Sequence, residues 1–107
     1  MEIKNVDKEY MSILNINSNI TLNLNANLYF IDATSQNITI TITDIAYDYE
    51  FYNLIRVDSS SNTVTIDLGN STLITNESNF NLHPLSNVTL MSNNNLWIPI
   101  NGYTKDR

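Results

Sequence analysis

The sequence has no cysteine, only two glycines and two prolines, a single histidine, and five lysines and arginines against eleven aspartates and glutamates. Without cysteine there is neither a disulfide framework nor a thiolate zinc site. With a net charge of −6 and so few cations, the chain lacks the basic patch that releases counterions from nucleic acid or adheres to anionic lipid. Neither partner is expected. No apolar run approaches the roughly 20 residues of a membrane-spanning helix. Met1-Glu2-Ile3-Lys4-Asn5 lacks the basic start and apolar stretch of a secretory signal, so a soluble, uncleaved chain is expected. At 107 residues it is too short for an α/β barrel or a free-standing polysaccharide-cleaving β-helix.

What replaces the missing charge is uncharged polarity. Only 15% of residues are charged, well below the usual quarter, while 19 Asn, 11 Thr and 10 Ser supply the polar surface. Aliphatic residues alternate with these. Ile20, Leu22 and Leu24 interleave with Thr21, Asn23 and Asn25, and Ile38, Ile40 and Ile42 with Thr39, Thr41 and Thr43, a period of two that places one set on each face of a strand. Val64, Ile66 and Leu68 continue the pattern, as do Val88 with Leu90 and Leu96, Ile98 and Ile100. A helical spacing over Val6, Tyr10, Ile13 and Leu14 is the one weak exception. Strand signals recur about every 8 to 12 residues, which predicts an all-β domain: a small antiparallel sandwich or barrel of short strands. Breaks rich in Asn, Asp and Ser fall at 17–19, 32–37, 58–62, 69–71, 75–79, 84–87 and 92–95. Asn tolerates the left-handed conformation best after Gly, so hairpin turns account for part of the Asn content. Asn37-Ile-Thr-Ile and Asn62-Thr-Val-Thr-Ile are alike, as are Asn19-Ile-Thr-Leu and Asn87-Val-Thr-Leu, but strand pattern and composition suffice to produce them, so they are not read as a duplication.

The division expected is residues 1–18, an N-terminal anchor or first strand, followed by a β domain over 19–107. Residues 47–57 are apolar on both sides: Tyr49, Phe51, Asn53, Ile55 and Val57 oppose Asp48, Glu50, Tyr52, Leu54 and Arg56. A domain this small has limited interior. One side is therefore expected to meet another subunit, and symmetric self-assembly suits such a surface, since uncharged groups can meet copies of themselves without repulsion. Tyr49 and Phe51 are assigned to the buried side. Tyr47, Tyr52, Leu54 and Trp97 are the candidate subunit-interface or ligand-facing residues, because tyrosine and tryptophan serve both protein contacts and sugar binding.

Catalytic and metal-binding constellations are thin. His83, beside Pro84, has no sequence partner for nucleophilic catalysis. Three copies on a trimer axis could bind metal only without any supporting spacing motif. Asp44, Asp48 and Glu50 could line a calcium or acid/base site, but they lack an EF-hand-like loop and read more simply as a solvated edge. No catalytic residue, cofactor or metal is assigned.

The last third carries a resemblance. Asn62-Thr-Val-Thr-Ile, Phe80-Asn-Leu-His-Pro-Leu, Val88-Thr-Leu, the Asn93–Asn95 turn and Leu96-Trp-Ile are together similar to a repeat-end motif in tail-fibre, head-fibre and related virion proteins of tailed bacteriophages. The likeness spans about 40 residues, with Phe30-Ile31-Asp32 a weaker match to the opening strands. Asn stands where that motif favours Gly, and Pro99 interrupts the last strand, which confines it to an edge or a strand end. The resemblance implies a trimeric, non-enzymatic structural or attachment domain on the particle surface, assembled in the host cytoplasm and held by a capsid or tail protein. In that setting residues 1–18, with Ile3, Val6 and Tyr10, form the candidate particle anchor. The alternative is a carbohydrate-binding or host-receptor-binding module, which requires an exposed aromatic pair beside Asn and Asp.

Overall fold

The computed structural model describes residues 12–23, 26 and 28–102. Alternating aliphatic and Thr or Asn residues hold the backbone extended, because β-branched side chains favour the pleated conformation and half of them find an apolar face. Nine strands result among the described residues: β1 (Ile13–Ile16), β2 (Ile20–Leu22), β3 (Leu28–Ile31), β4 (Ile38–Ile42), β5 (Phe51–Arg56), β6 (Val64–Asp67), β7 (Asn79–Asn81), β8 (Asn87–Asn93) and β9 (Leu96–Asn101). No helix forms among them; Ile13 and Leu14, part of the weak helical spacing, lie in β1.

The all-β class holds, but both sheets are mixed, and the expected antiparallel pairing is confined to the pairs made by the last three strands. The first six strands alternate between two sheets, ordered β1-β3-β5-β8-β9 and β2-β4-β6-β7. Within each, the first three strands run parallel. The chain thus winds through three stacked coils, each giving one strand to either sheet. Only then does it reverse, with β7 antiparallel to β6, β8 to β5, and β9 to β8. The breaks at 17–19, 32–37 and 58–62 are corners between sheets rather than hairpin turns. Hairpin and corner draw on the same residue types, so composition does not separate them.

The inward faces of both sheets merge in one core. Ile20, Ile40 and Ile66 stack through successive coils of the smaller sheet, and Leu54 joins Tyr29 to Val88 in the larger. Leu22, Ile31, Ile38, Ile42, Leu68 and Leu73 complete the interior and are fully buried. Such stacking buries the same side-chain position in every coil, which a single coil could not achieve alone.

Asparagine does two jobs here. Asn76, Asn94 and Asn95 have positive φ, as turn chemistry predicts. Asn19 and Asn37 act differently: their Oδ1 atoms accept the backbone N–H of Thr39 at 2.8 Å and of Thr63 at 2.9 Å, each in the next coil. Of the four similar segments, that from Asn87 opens β8 in the larger sheet, whereas those from Asn19, Asn37 and Asn62 lead into β2, β4 and β6, which stack side by side. They mark one corner of successive coils. Pro99 lies in β9, an edge strand, as its missing N–H requires.

Candidate assembly and binding surfaces

The face assignment of residues 47–57 is reversed in the structure. Tyr52, Leu54 and Trp97 are buried within a single protomer, so these three candidates display nothing outward. Tyr52 instead stands between Tyr29 and Trp97, with ring centroids 5.6 Å from each in tilted contact. Trp97 Nε1 is buried and has no hydrogen-bond acceptor among the described residues. Tyr49 and Phe51, assigned to the interior, are exposed.

The reason for the reversal lies in the charges on that side: Asp48 and Glu50 belong to the loop before β5, where Tyr49 at φ 67° breaks the alternation, and the third is Arg56. A charged residue in step with Tyr52 and Leu54 makes their side look solvent-facing, yet Arg56 is only 2% exposed. Its guanidinium bonds Asp58 through both Nε (3.0 Å) and Nη2 (3.1 Å), and donates to the carbonyls of Leu82 (2.9 Å) and Asn62 (2.6 Å). Asp58 in turn accepts the N–H of Ala33 at 2.9 Å and of Ser60 at 3.1 Å. The adjacent guanidinium, with these bonds, holds the Asp58 carboxyl well below the usual carboxylate range against the opposing effect of burial. The pair therefore fastens one corner to the coil before it and to the segment after β7. Asp58 two residues beyond an in-phase Arg was the available signal.

The other candidates divide. Ile3, Val6 and Tyr10 lie outside the described residues. Asp44, Asp48 and Glu50 fall in the loop between β4 and β5 and accept backbone N–H groups: Asp44 from Asn70, Asp48 from Asn94, and Glu50 from Ala46 and Tyr47. His83 is half-buried, and its carbonyl accepts the Ser86 hydroxyl at 2.6 Å. Among the described residues no group of three or more His, Asp or Glu is placed to hold a metal ion.

Two outward surfaces remain. On the smaller sheet the outward positions are polar, with Thr21, Thr41, Asp67 and Asn79 in one rank and Thr39, Thr65 and Asn81 in the other. On the larger sheet they are apolar: Ile13 beside Leu28, Phe30 beside Ile55, and Phe51 beside Met91, which in turn lies beside Ile98. Asn15, Asn53, Asn87 and Thr89 separate these groups, and no outward strand position of this sheet bears a charge. Phe51 is 44% exposed and Val57, just past β5, 48%. The larger sheet thus presents an uncharged, water-facing apolar surface on an acidic chain.

The remaining candidate, Tyr47, is exposed in the loop that crosses from β4 to β5, close in sequence to exposed Tyr49. Buried Ser92 fixes this loop. Its hydroxyl accepts from Glu50 N–H (2.9 Å) and donates to the Tyr47 carbonyl (2.8 Å), while its backbone exchanges bonds with Tyr49 N–H (2.7 Å) and the Glu50 carbonyl (2.8 Å). Tyr49 is held at φ 67°, a left-handed conformation that costs a bulky residue about 1–3 kcal/mol.

No family model matches the chain, and no curated protein sequence matches it.

Proposed function

We propose that this protein is a non-enzymatic structural component of a bacteriophage virion, a fibre or capsid-decorating subunit that associates as a homotrimer and attaches to head or tail. The family part of this reading comes from the sequence resemblance. The observation that carries the assembly part is the outward face of the larger sheet, where Phe30, Phe51, Ile55, Met91 and Ile98 meet solvent without a charged neighbour in the strands. Apolar surface of this kind gains by burial against protein. A chain of net charge −6 associates with itself most readily through a face from which its acids are excluded. The Asn and Thr positions between the apolar groups suit the same contact, since amides and hydroxyls both donate and accept.

Light scattering of the purified chain tests the assembly. A mass three times 12.2 kDa is expected, and Phe51→Asp with Ile55→Asp should reduce it to the protomer mass while leaving the far-ultraviolet circular dichroism unchanged. A wild-type monomer at micromolar concentration would overturn the trimer. Immunogold labelling of particles purified from cells carrying the gene tests the virion location separately; unlabelled particles would remove that assignment even if the trimer stands.

A further inference from the structure

The loop from Asp44 to Glu50 has features that neither the coil nor the apolar sheet face requires. Tyr47 is 76% exposed and Tyr49 68%, so neither ring contributes much to the core. The backbone beneath them is nonetheless held by Ser92, which is itself fully buried, and by Glu50 accepting the N–H groups of Ala46 and Tyr47. Tyr49 keeps a left-handed φ that glycine would adopt more easily. Between them in the chain is Asp48, whose Oδ1 accepts the N–H of Asn94 at 2.9 Å, joining the loop to the exposed Asn94-Asn95 turn between β8 and β9. The result is a platform with an ordered backbone that carries two exposed tyrosines and Asp48 and is tied to a turn of two asparagines.

We infer that this platform is a glycan-binding site for neutral or N-acetylated hexopyranose units. The aromatic face packs against the C–H face of a pyranose, while Asp48, Asn94 and Asn95 supply the acceptors and donors that sugar hydroxyls need. Because the loop is ordered before the ligand arrives, little conformational freedom is lost on binding. Asp48 and Glu50, within a chain of net charge −6, disfavour uronic-acid and other anionic glycans. The residues of the site lie in a loop and a turn, outside the strands that form the apolar sheet face, and the inference does not depend on the assembly reading.

The test is a glycan array carrying neutral hexose, N-acetylhexosamine and uronic-acid oligosaccharides, probed with the full chain. Wild type should retain members of the first two classes and none of the third. The Tyr47→Ala/Tyr49→Gly pair should weaken that binding at least about tenfold with no fall in melting temperature, since glycine suits the φ at position 49. Tyr47→Phe, which keeps the ring, and Ile74→Ala, an exposed position outside the loop, should bind as wild type does. The inference is overturned if wild type retains no neutral or N-acetylated glycan, if it prefers the uronic acids, or if the paired variant binds undiminished. Oligomer mass, recorded on the same samples, shows whether any loss reflects a change of assembly instead.

Discussion

Arg56 shows how one side chain can invert the reading of a whole strand. Its charge puts the Tyr52 and Leu54 side outward by every ordinary rule, and only its partner Asp58, inward as well, makes burial affordable. Removing one member of such a pair is worse than lacking both, because the survivor is left charged and unpaired in the interior. Asp58→Ala should therefore destabilise the fold by about 3–5 kcal/mol in urea titration, and Arg56→Met combined with Asp58→Asn should recover part of that loss. The pH dependence has a definite sign. Asp58 has its folded pKa below the ordinary 3.8, so its contribution is fully present above that value and is lost as pH falls through the folded pKa. Stability should be flat with respect to this group from pH 5 to 8 and decline below about pH 4, a decline that the double variant lacks when melting is followed against pH. Trp97 offers a second residue-scale test. Trp97→Ala should cost about 3–5 kcal/mol through the cavity it leaves. Trp97→Phe should cost far less, because it also removes an indole N–H that has no acceptor among the described residues, worth about 1–3 kcal/mol when buried.

At the scale of the element, strands were legible and their partners were not. The period-two runs over 38–42 and 64–68 identify an inward set correctly, since Ile38, Ile40, Ile42, Val64, Ile66 and Leu68 are all buried. Alternation fixes faces, however, and carries no information about whether the neighbouring strand runs parallel or antiparallel. Repetition was hidden for a related reason. Ile16, Ile31 and Arg56 stack on one another, so one coil takes 15 residues and the next 25, and no constant period marks them in the sequence. The corner asparagines are what recur. Asn37→Ala should leave the Thr63 N–H without its acceptor and cost about 1 kcal/mol, measurable by chemical denaturation, whereas Asn76→Gly, at φ 79°, should be neutral or mildly stabilising. At Gly102, where φ is 81°, a Cβ would stand 1.9 Å from the Asn87 carbonyl oxygen. Gly102→Ala should accordingly separate the end of β9 from the start of β8, seen as faster amide exchange there than in the core strands.

The whole molecule is asymmetric in its surfaces: hydroxyl and amide on one sheet, aliphatic and aromatic on the other. That contrast follows from Thr21, Thr39, Thr41 and Thr65 on the outward side of one sheet and Phe30, Phe51, Ile55 and Met91 on the other. The sequence indicated surplus apolar surface between 47 and 57 but located it on the wrong side. Charge sets the expected response to salt. If identical acidic chains meet through an uncharged face, screening weakens the repulsion between them without weakening the contact. The association constant should rise with sodium chloride in sedimentation equilibrium, the opposite of an interface held by ion pairs.

The reversal after β6 gives the column a polarity. Strands β7 and β8 run against the coils and terminate the winding on one side, with β9 returning along β8, while β1 and β2 lie at the other margin of their sheets. Length can therefore be gained only by duplicating turns ahead of the reversal, each adding about 4.8 Å of height under an unchanged terminal hairpin. A shaft assembled on this plan would be graduated like a ruler, in steps set by the distance between hydrogen-bonded strands.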